Sequence, residues 1–515
     1  MDCVLSVDQL TAAKKINIKT ESTHNKPTTD HEVRERSDDQ PFLTHDPRDK
    51  KVTEELKKCL NKMKSKASST FQDNEKPKIQ KAPMFFRKHL KKYNKPKWIS
   101  IGPIHHGKQQ FQLAEVCKLS LAAKFIRRTQ VKAKDLYEKI EREIVQLKNS
   151  FDKEVIESYE KRRISTSFGL MLFLDGCSML EFIYSYVFDE LKYFKIKKEQ
   201  VAFAKHDFFL LENQIPFRVL KILMKSSVVS NKHKNGLSNS IKEFIRVSRM
   251  APYEHERNFE INIDEPEPIH LLDLLRSALL QQPAPSNIKD PKPKAAGDED
   301  PSQSKYFEQS KSGMSHGRQS FRNILDIRAA GITLKPSRNC SLRDIKFTSH
   351  FPSCLKLPPL LVDDSMVPKF MNLIAYEMCP DNMSDREMEG YEVTSYLAFM
   401  DSLIDSEEDV KQLRKAHILR NCLSSDAEVA RLFNEMGSCL VSMPAYPDVV
   451  RKIQHHYENK YVKWMALISR QHFRDPWTIL ALVGAFLALA LTAIGTWFTV
   501  FPLPGPCDNF CEKKH

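Results

Sequence analysis

From Trp477 to Phe501 the sequence WTILALVGAFLALALTAIGTWFTVF runs for 25 residues without a formal charge. At 1.5 Å per residue such a run reaches roughly 37 Å as a helix, more than a hydrocarbon core of about 30 Å. Trp477 and Trp497 stand near its ends, where amphipathic rings favour the membrane interface, and Pro476 and Pro502 punctuate the start and finish. The bland alternative is a fully buried helix of a soluble core, but such helices are usually shorter and rarely uncharged for so long. The expectation is one transmembrane helix over 477–501, anchoring a large water-soluble domain.

The flanks suggest which way it points. Lys460, Lys463, Arg470 and Arg474 precede the span, whereas only Lys513 and Lys514 follow it. The positive-inside bias then keeps the N-terminal domain in the cytosol and puts the short tail 502–515 on the other side. The start, MDCVLSVDQLTAAKKINIK, lacks the features of a secretory signal, so insertion is expected late, as in a tail-anchored protein. A single-pass membrane location follows, with the plasma membrane as one candidate. Glycans at the N-x-S sites Asn339 or Asn382 would overturn this orientation. Cys507 and Cys511 would pair outside the cytosol or be open to acylation inside it.

A chain of 515 residues gives ample length for a core ahead of the anchor. The formal charge of +14 is unevenly placed: residues 1–100 hold 23 Lys or Arg against 14 Asp or Glu, a net of +9, and Lys76 to Lys97 holds nine basic residues and no acid. Residues 1–78 are charged and poor in aromatics, which reads as a disordered arm. Order is expected from about 79 to 475, beginning near Ala82. Trp98 to Gly107 (WISIGPIHHG) reads as a short strand entering a turn. Leu136, Ile140, Ile144, Leu147 and Phe151 form one helical stripe. Phe168 to Phe188 is strongly apolar but interrupted by Asp175, Gly176 and Glu181, so burial is expected rather than a second span, and Val201 to Met224 continues in the same manner. The Pro-, Lys- and Ser-rich stretch 282–319 reads as a flexible insertion, while 332–362 suggests a few short strands before helices return. The fold class is thus mainly α, with a few short strands and one C-terminal transmembrane helix. Eleven cysteines, scattered singly without a CxxC pair, suggest neither a disulfide framework nor a zinc site.

Catalytic signals are sparse. His105-His106 is tempting because imidazole titrates near neutrality, but adjacent residues of an extended segment face opposite ways and no HExxH or HxH lies nearby, so a structural turn is the plainer reading and no metal is expected. Asp207 and Glu212 read as lying five apart in an apolar helix, where a buried carboxylate can serve as acid or base. The structural alternative has Glu212, Asn213 and Gln214 satisfying backbone groups around Pro216. No GxSxG, P-loop or GxGxxG is present, and no cofactor is expected. The stretch Lys76 to Lys97 suits acidic lipid headgroups or a docking role within the domain. Nucleic acid is not expected for a chain held at a membrane.

Taken in order, APMFFRKHLKKYNKPKWISIGPIHHG, LDGCSMLEF, HDFFLLENQIPF, DIKF, NLIAYE, YLAFMDSLID and FRDPWTILALVGAFLAL resemble the plant family called domain of unknown function 247, over roughly Ile79 to Phe501. The matching positions include Ser100, Ile101, Gly102, Pro103, His105, His106 and Gly107, then Asp175 and Gly176. They continue with Asp207, Leu210, Leu211, Glu212, Asn213, Gln214 and Pro216, and close with Pro476 and Trp477. Relatives usually read DDST followed by an acid, where this chain has Asp363, Asp364, Ser365, Met366, Val367 and Pro368. The resemblance implies a helical, C-terminally anchored domain with no established enzymatic activity, and some grass members are associated with self-incompatibility. The leading expectation is a protein that works through contacts with an unidentified protein partner, in recognition or signalling. The competing one is a membrane-bound enzyme using His105, His106, Asp207 and Glu212.

Overall fold

The computed structural model describes residues 79–162, 164, 166–226, 231–252, 261–281, 323–338, 340–349, 352–379, 390–440, 446–458 and 476–501. The arm 1–78, the insertion 282–319, Asn339, Asn382, the basic residues at 460–474 and the tail with Cys507 and Cys511 lie outside them.

The described residues fold mainly as helices, and the N-terminal half is built around one of them. Helices α1 (Met84–Leu90), α2 (Gln112–Thr129), α3 (Ala133–Arg142), α4 (Ile144–Asn149), α5 (Lys153–Lys161), α6 (Phe168–Val187), α7 (Lys198–Asp207), α8 (Phe217–Lys225), α9 (Asn231–Ser248) and α10 (Leu271–Leu280) follow in turn. The apolar α6 starts at an N-cap where Ser167 Oγ accepts from Leu170 N–H. It is mostly buried, with α2, α3, α8 and α9 against it. Gly176 admits α8 closely: a β-carbon there would come within 2.7 Å of Leu223 and 2.8 Å of Val219.

Beyond the insertion come α11 (Ile324–Ala329), β1 (Thr333–Pro336), β2 (Lys346–Thr348), β3 (Cys354–Leu357), β4 (Leu360–Val362), α12 (Met366–Glu377), α13 (Glu392–Leu403), α14 (Glu407–Lys415), β5 (Leu419–Asn421), α15 (Asp426–Gly437) and α16 (Pro447–Glu458). β3 is the middle strand, parallel to β1 and antiparallel to β2, while β4 and β5 make a separate parallel pair. The few short strands expected within 332–362 are present as β1 to β4. β5 falls where only helices were expected, because Leu360 N–H and the Ile418 carbonyl extend its ladder with β4.

Three expectations about local structure are corrected. The 136–151 stripe is two helices, since Glu143 leaves helical geometry between α3 and α4 and Phe151 bridges to Ile79. Trp98 to Ile101 forms no strand: Trp98 lies in a bend, and side chains take the N–H groups of Trp98, Ile99 and Ile101. Asp207 and Glu212 do not share a helix: α7 ends at Asp207 and Glu212 lies in the loop before α8.

One apolar core runs from Ile79 to Ile453 and joins both halves. Polar contacts cross the same seam. Leu361 N–H donates to the Met250 carbonyl at 2.7 Å and Leu342 N–H to that of Leu279 at 2.9 Å. Buried Glu377 meets Arg276 Nε at 2.8 Å. The last helix, α17 (Pro476–Val500), is uncharged and mostly apolar, long enough by length and composition to cross a membrane, and exposed along its described side chains.

Candidate functional site

The residues singled out in sequence converge on the loop between α7 and α8 and the segment 97–107. Asp207, fully buried, uses Oδ1 to accept from Lys97 N–H at 2.8 Å and Oδ2 to accept from Trp98 and Ile99 N–H at 2.8 and 2.9 Å. Asn213 continues the series: its Oδ1 accepts from Ile101 N–H at 2.7 Å, and its Nδ2 donates to the carbonyls of Ile99 and Asp207. Gly102 N–H then donates to Asp175 Oδ2 at 2.7 Å. An unpaired buried donor costs about 1–3 kcal/mol, so these side chains substitute for the missing strand.

Gln214 holds the loop itself. Its Nε2 donates to the carbonyls of Phe208 and Leu210, both at 2.8 Å, and Pro216 sits at the N-cap of α8. Glu212 Oε1 accepts from Ala82 N–H at 3.1 Å, tying the loop to the entry of α1. Leu210 and Leu211 are buried beneath it, and Leu211 N–H donates to Asn372 Oδ1 at 2.9 Å. Asn372 also donates to the Tyr93 carbonyl at 2.9 Å, so α12 clamps both segments.

Under the turn, Asp175 Oδ1 accepts from Lys118 Nζ at 2.7 Å, and Lys118 also reaches Glu115 at 2.8 Å. Both Lys118 and Asp175 are about 1% exposed. Burial pushes the Asp175 carboxyl up to about 6 against the opposing pull of Lys118. For Lys118, burial alone would lower the ammonium, but Asp175 and Glu115 more than offset it. Arg162 Nη1 donates to the His106 carbonyl at 2.8 Å and Nη2 to that of Pro103, fixing the turn from outside.

The two histidines do different things. Lys108 Nζ lies 2.6 Å from His105 Nδ1, and since an ammonium can only donate, the ring proton sits on Nε2, 4.0 Å from Glu212 Oε2. His106 packs its ring 6.0 Å from that of Tyr159. Burial, followed by the charge of Lys108, lowers His105 to about 3, and burial lowers His106 to about 4. Both are neutral at physiological pH. Among the described residues no group of three or more His, Cys, Asp or Glu side chains is placed to hold a metal. His105, His106, Asp207 and Glu212 are all buried; the two carboxylates accept from backbone donors, and the two histidines pack within the turn.

Sequence reasoning missed Lys118, Arg162 and Asn372. Asp175 was the available signal, because a carboxylate inside an apolar helix demands a cation. A further cluster sits at the altered DDST position: Asp363 Oδ1 accepts from both Ser365 N–H and Oγ, and Lys369 Nζ lies 3.0 Å from Ser365 Oγ and 3.1 Å from the Ser248 carbonyl. Burial lowers the Lys369 ammonium to about 8.

Residues 79–491 match the family described as a plant protein of unknown function, domain of unknown function 247. The chain belongs to this family. The 97–107 turn, the 207–216 loop and the acid of α6 all lie inside the matched region. A UPF0481 protein of Arabidopsis thaliana is 27% identical over 416 residues, which cover 78% of this chain and 81% of that relative. A second UPF0481 protein of the same plant is 26% identical over 181 residues, 35% of this chain and 33% of that protein. No solved structure matches.

Proposed function

We propose that this family member is held in a membrane by α17 as a single span and works through contacts between its helical domain and another protein. The observation that carries the reading is α17 itself, an uncharged helix whose described large apolar side chains, Phe486, Leu489 and Leu491 among them, are about half to two-thirds exposed. Its threonines suit lipid, because Thr492, Thr496 and Thr499 each donate the hydroxyl to a carbonyl one turn back, at 2.7–2.8 Å. The polar side chains of the motif centre are committed inward, which leaves the domain surface for recognition.

The basic residues ahead of α17 favour a cytosolic domain, and the plasma membrane is the proposed site. Recognition or signalling is the role that fits an anchored domain of this kind, with self-incompatibility as one setting. Protease protection of an N-terminal tag in sealed vesicles tests the topology: the tag is expected to be digested in vesicles with the cytosolic face outward. Proximity labelling with co-purification from membranes tests the partner, and recovery of no specific protein would sink that half of the reading.

A further inference from the structure

The exposed face of α1 is the surface that the fold leaves unexplained. Phe86 and Leu90 point into the core at 1% and 0% exposure, while Met84 and Phe85 stand out at 82% and 63%. One turn on, the same side carries exposed Lys88, followed by exposed Lys91 and Lys92. Lys81 is paired with Glu154, but among the described residues no carboxylate pairs with Lys88, Lys91 or Lys92. The stretch Lys76–Lys97 contains no acid to neutralise them. The helix is also held firmly: Ala82 is bonded to Glu212, the Tyr93 carbonyl to Asn372, and His89 Nδ1 lies 3.2 Å from Cys439 Sγ. The face is therefore preformed rather than a frayed end.

We infer that Met84 and Phe85, with Lys88, Lys91 and Lys92 beside them, dock on an anionic lipid surface and give the domain a second membrane contact. The inference rests on the proposed α17 anchor, which keeps a bilayer close. Two apolar knobs within a lysine cluster suit lipid better than protein, since protein interfaces are depleted in lysine whereas lysines near anionic headgroups gain attraction. Reach does not forbid it. From Glu458 to Pro476 the chain advances 18 residues, which extends to at most about 60 Å.

Hydrogen exchange of the full chain, reconstituted into nanodiscs of phosphatidylcholine alone or with about a third phosphatidylserine, tests this. Amides of 84–92 are expected to exchange at least about threefold more slowly in the phosphatidylserine discs, and the triple variant Met84→Asp/Phe85→Asp/Lys88→Glu to lose the difference. All three positions are exposed, so the variant should fold, and unchanged exchange in α6 would confirm that it does. Equal exchange in both discs overturns the inference. So does equal protection in both discs and in detergent, which would mean that the N-terminal segment or a second copy covers the face. Alkaline carbonate extraction reads α17 separately: a chain released by carbonate refutes the anchor, whatever 84–92 shows.

Discussion

Gly102 is the residue where the motif centre is least tolerant. Its φ of +73° lies in the left-handed region, and a β-carbon there would sit 2.1 Å from the Gln214 carbonyl oxygen, which belongs to backbone and cannot swing away. Gly102→Ala should cost at least about 3 kcal/mol and leave little folded protein, as read by urea unfolding of the detergent-solubilised chain. The histidines next to it set an acid limit. Their folded pKa values are depressed below 6.5, so the unfolded chain takes up protons while the folded one does not as pH falls from 6.5 toward 3–4. Their contribution is complete above 6.5 and drains away below it, by about 1.4 kcal/mol per pH unit for each ring. His105→Gln should flatten the stability loss between pH 6.5 and 4.5 by roughly that slope; an unchanged slope would show that the ring is not kept neutral. Of these residue roles, sequence could suggest that Asn213 and Gln214 serve backbone groups around Pro216. It could not show that Asp207 serves residues about 110 positions earlier, because nothing local encodes that distance.

Elements were legible where one strong pattern decided them. The apolar α6 with its central acid reads as buried, and the short alternating runs of 332–362 read as strands. Patterns failed where tertiary contacts chose the outcome. A continuous stripe over 136–151 hides the break at Glu143, and β5, three residues long, exists through its pairing with β4. The link between α2 and α6 shows the same dependence on a partner. Lys118→Met alone strands the Asp175 carboxylate in the core at about 3–5 kcal/mol, whereas Asp175→Asn alone leaves the ammonium with Glu115 as its remaining carboxylate and should cost less. Asparagine keeps an acceptor for Gly102 N–H, so the double variant should be less destabilised than the two single costs combined by at least about 2 kcal/mol. Strict additivity in urea unfolding would refute a direct pair.

At the scale of the whole molecule, membership of the family and the long apolar C-terminal helix were readable from ordered motifs and hydropathy, whereas the joining of the two halves was not. That joining includes Asn372 meeting Tyr93 and Leu211, Tyr376 donating to Asp273 at 3.0 Å, and the Arg276–Glu377 pair, partners 101 to 279 positions apart. No periodicity reports such distances. The seam has a consequence for how the gene could be divided. Residues 1–300 and 301–515, produced as two separate polypeptides in one cell, should reassemble through it and purify together on a tag carried by either piece. Glu377→Ala with Asn372→Ala should lower the recovery, since only the shared apolar core and the backbone bonds then hold the seam. The covalent link across 282–322 would then be a convenience of synthesis rather than a requirement of assembly, and this protein a natural scaffold for split reporters.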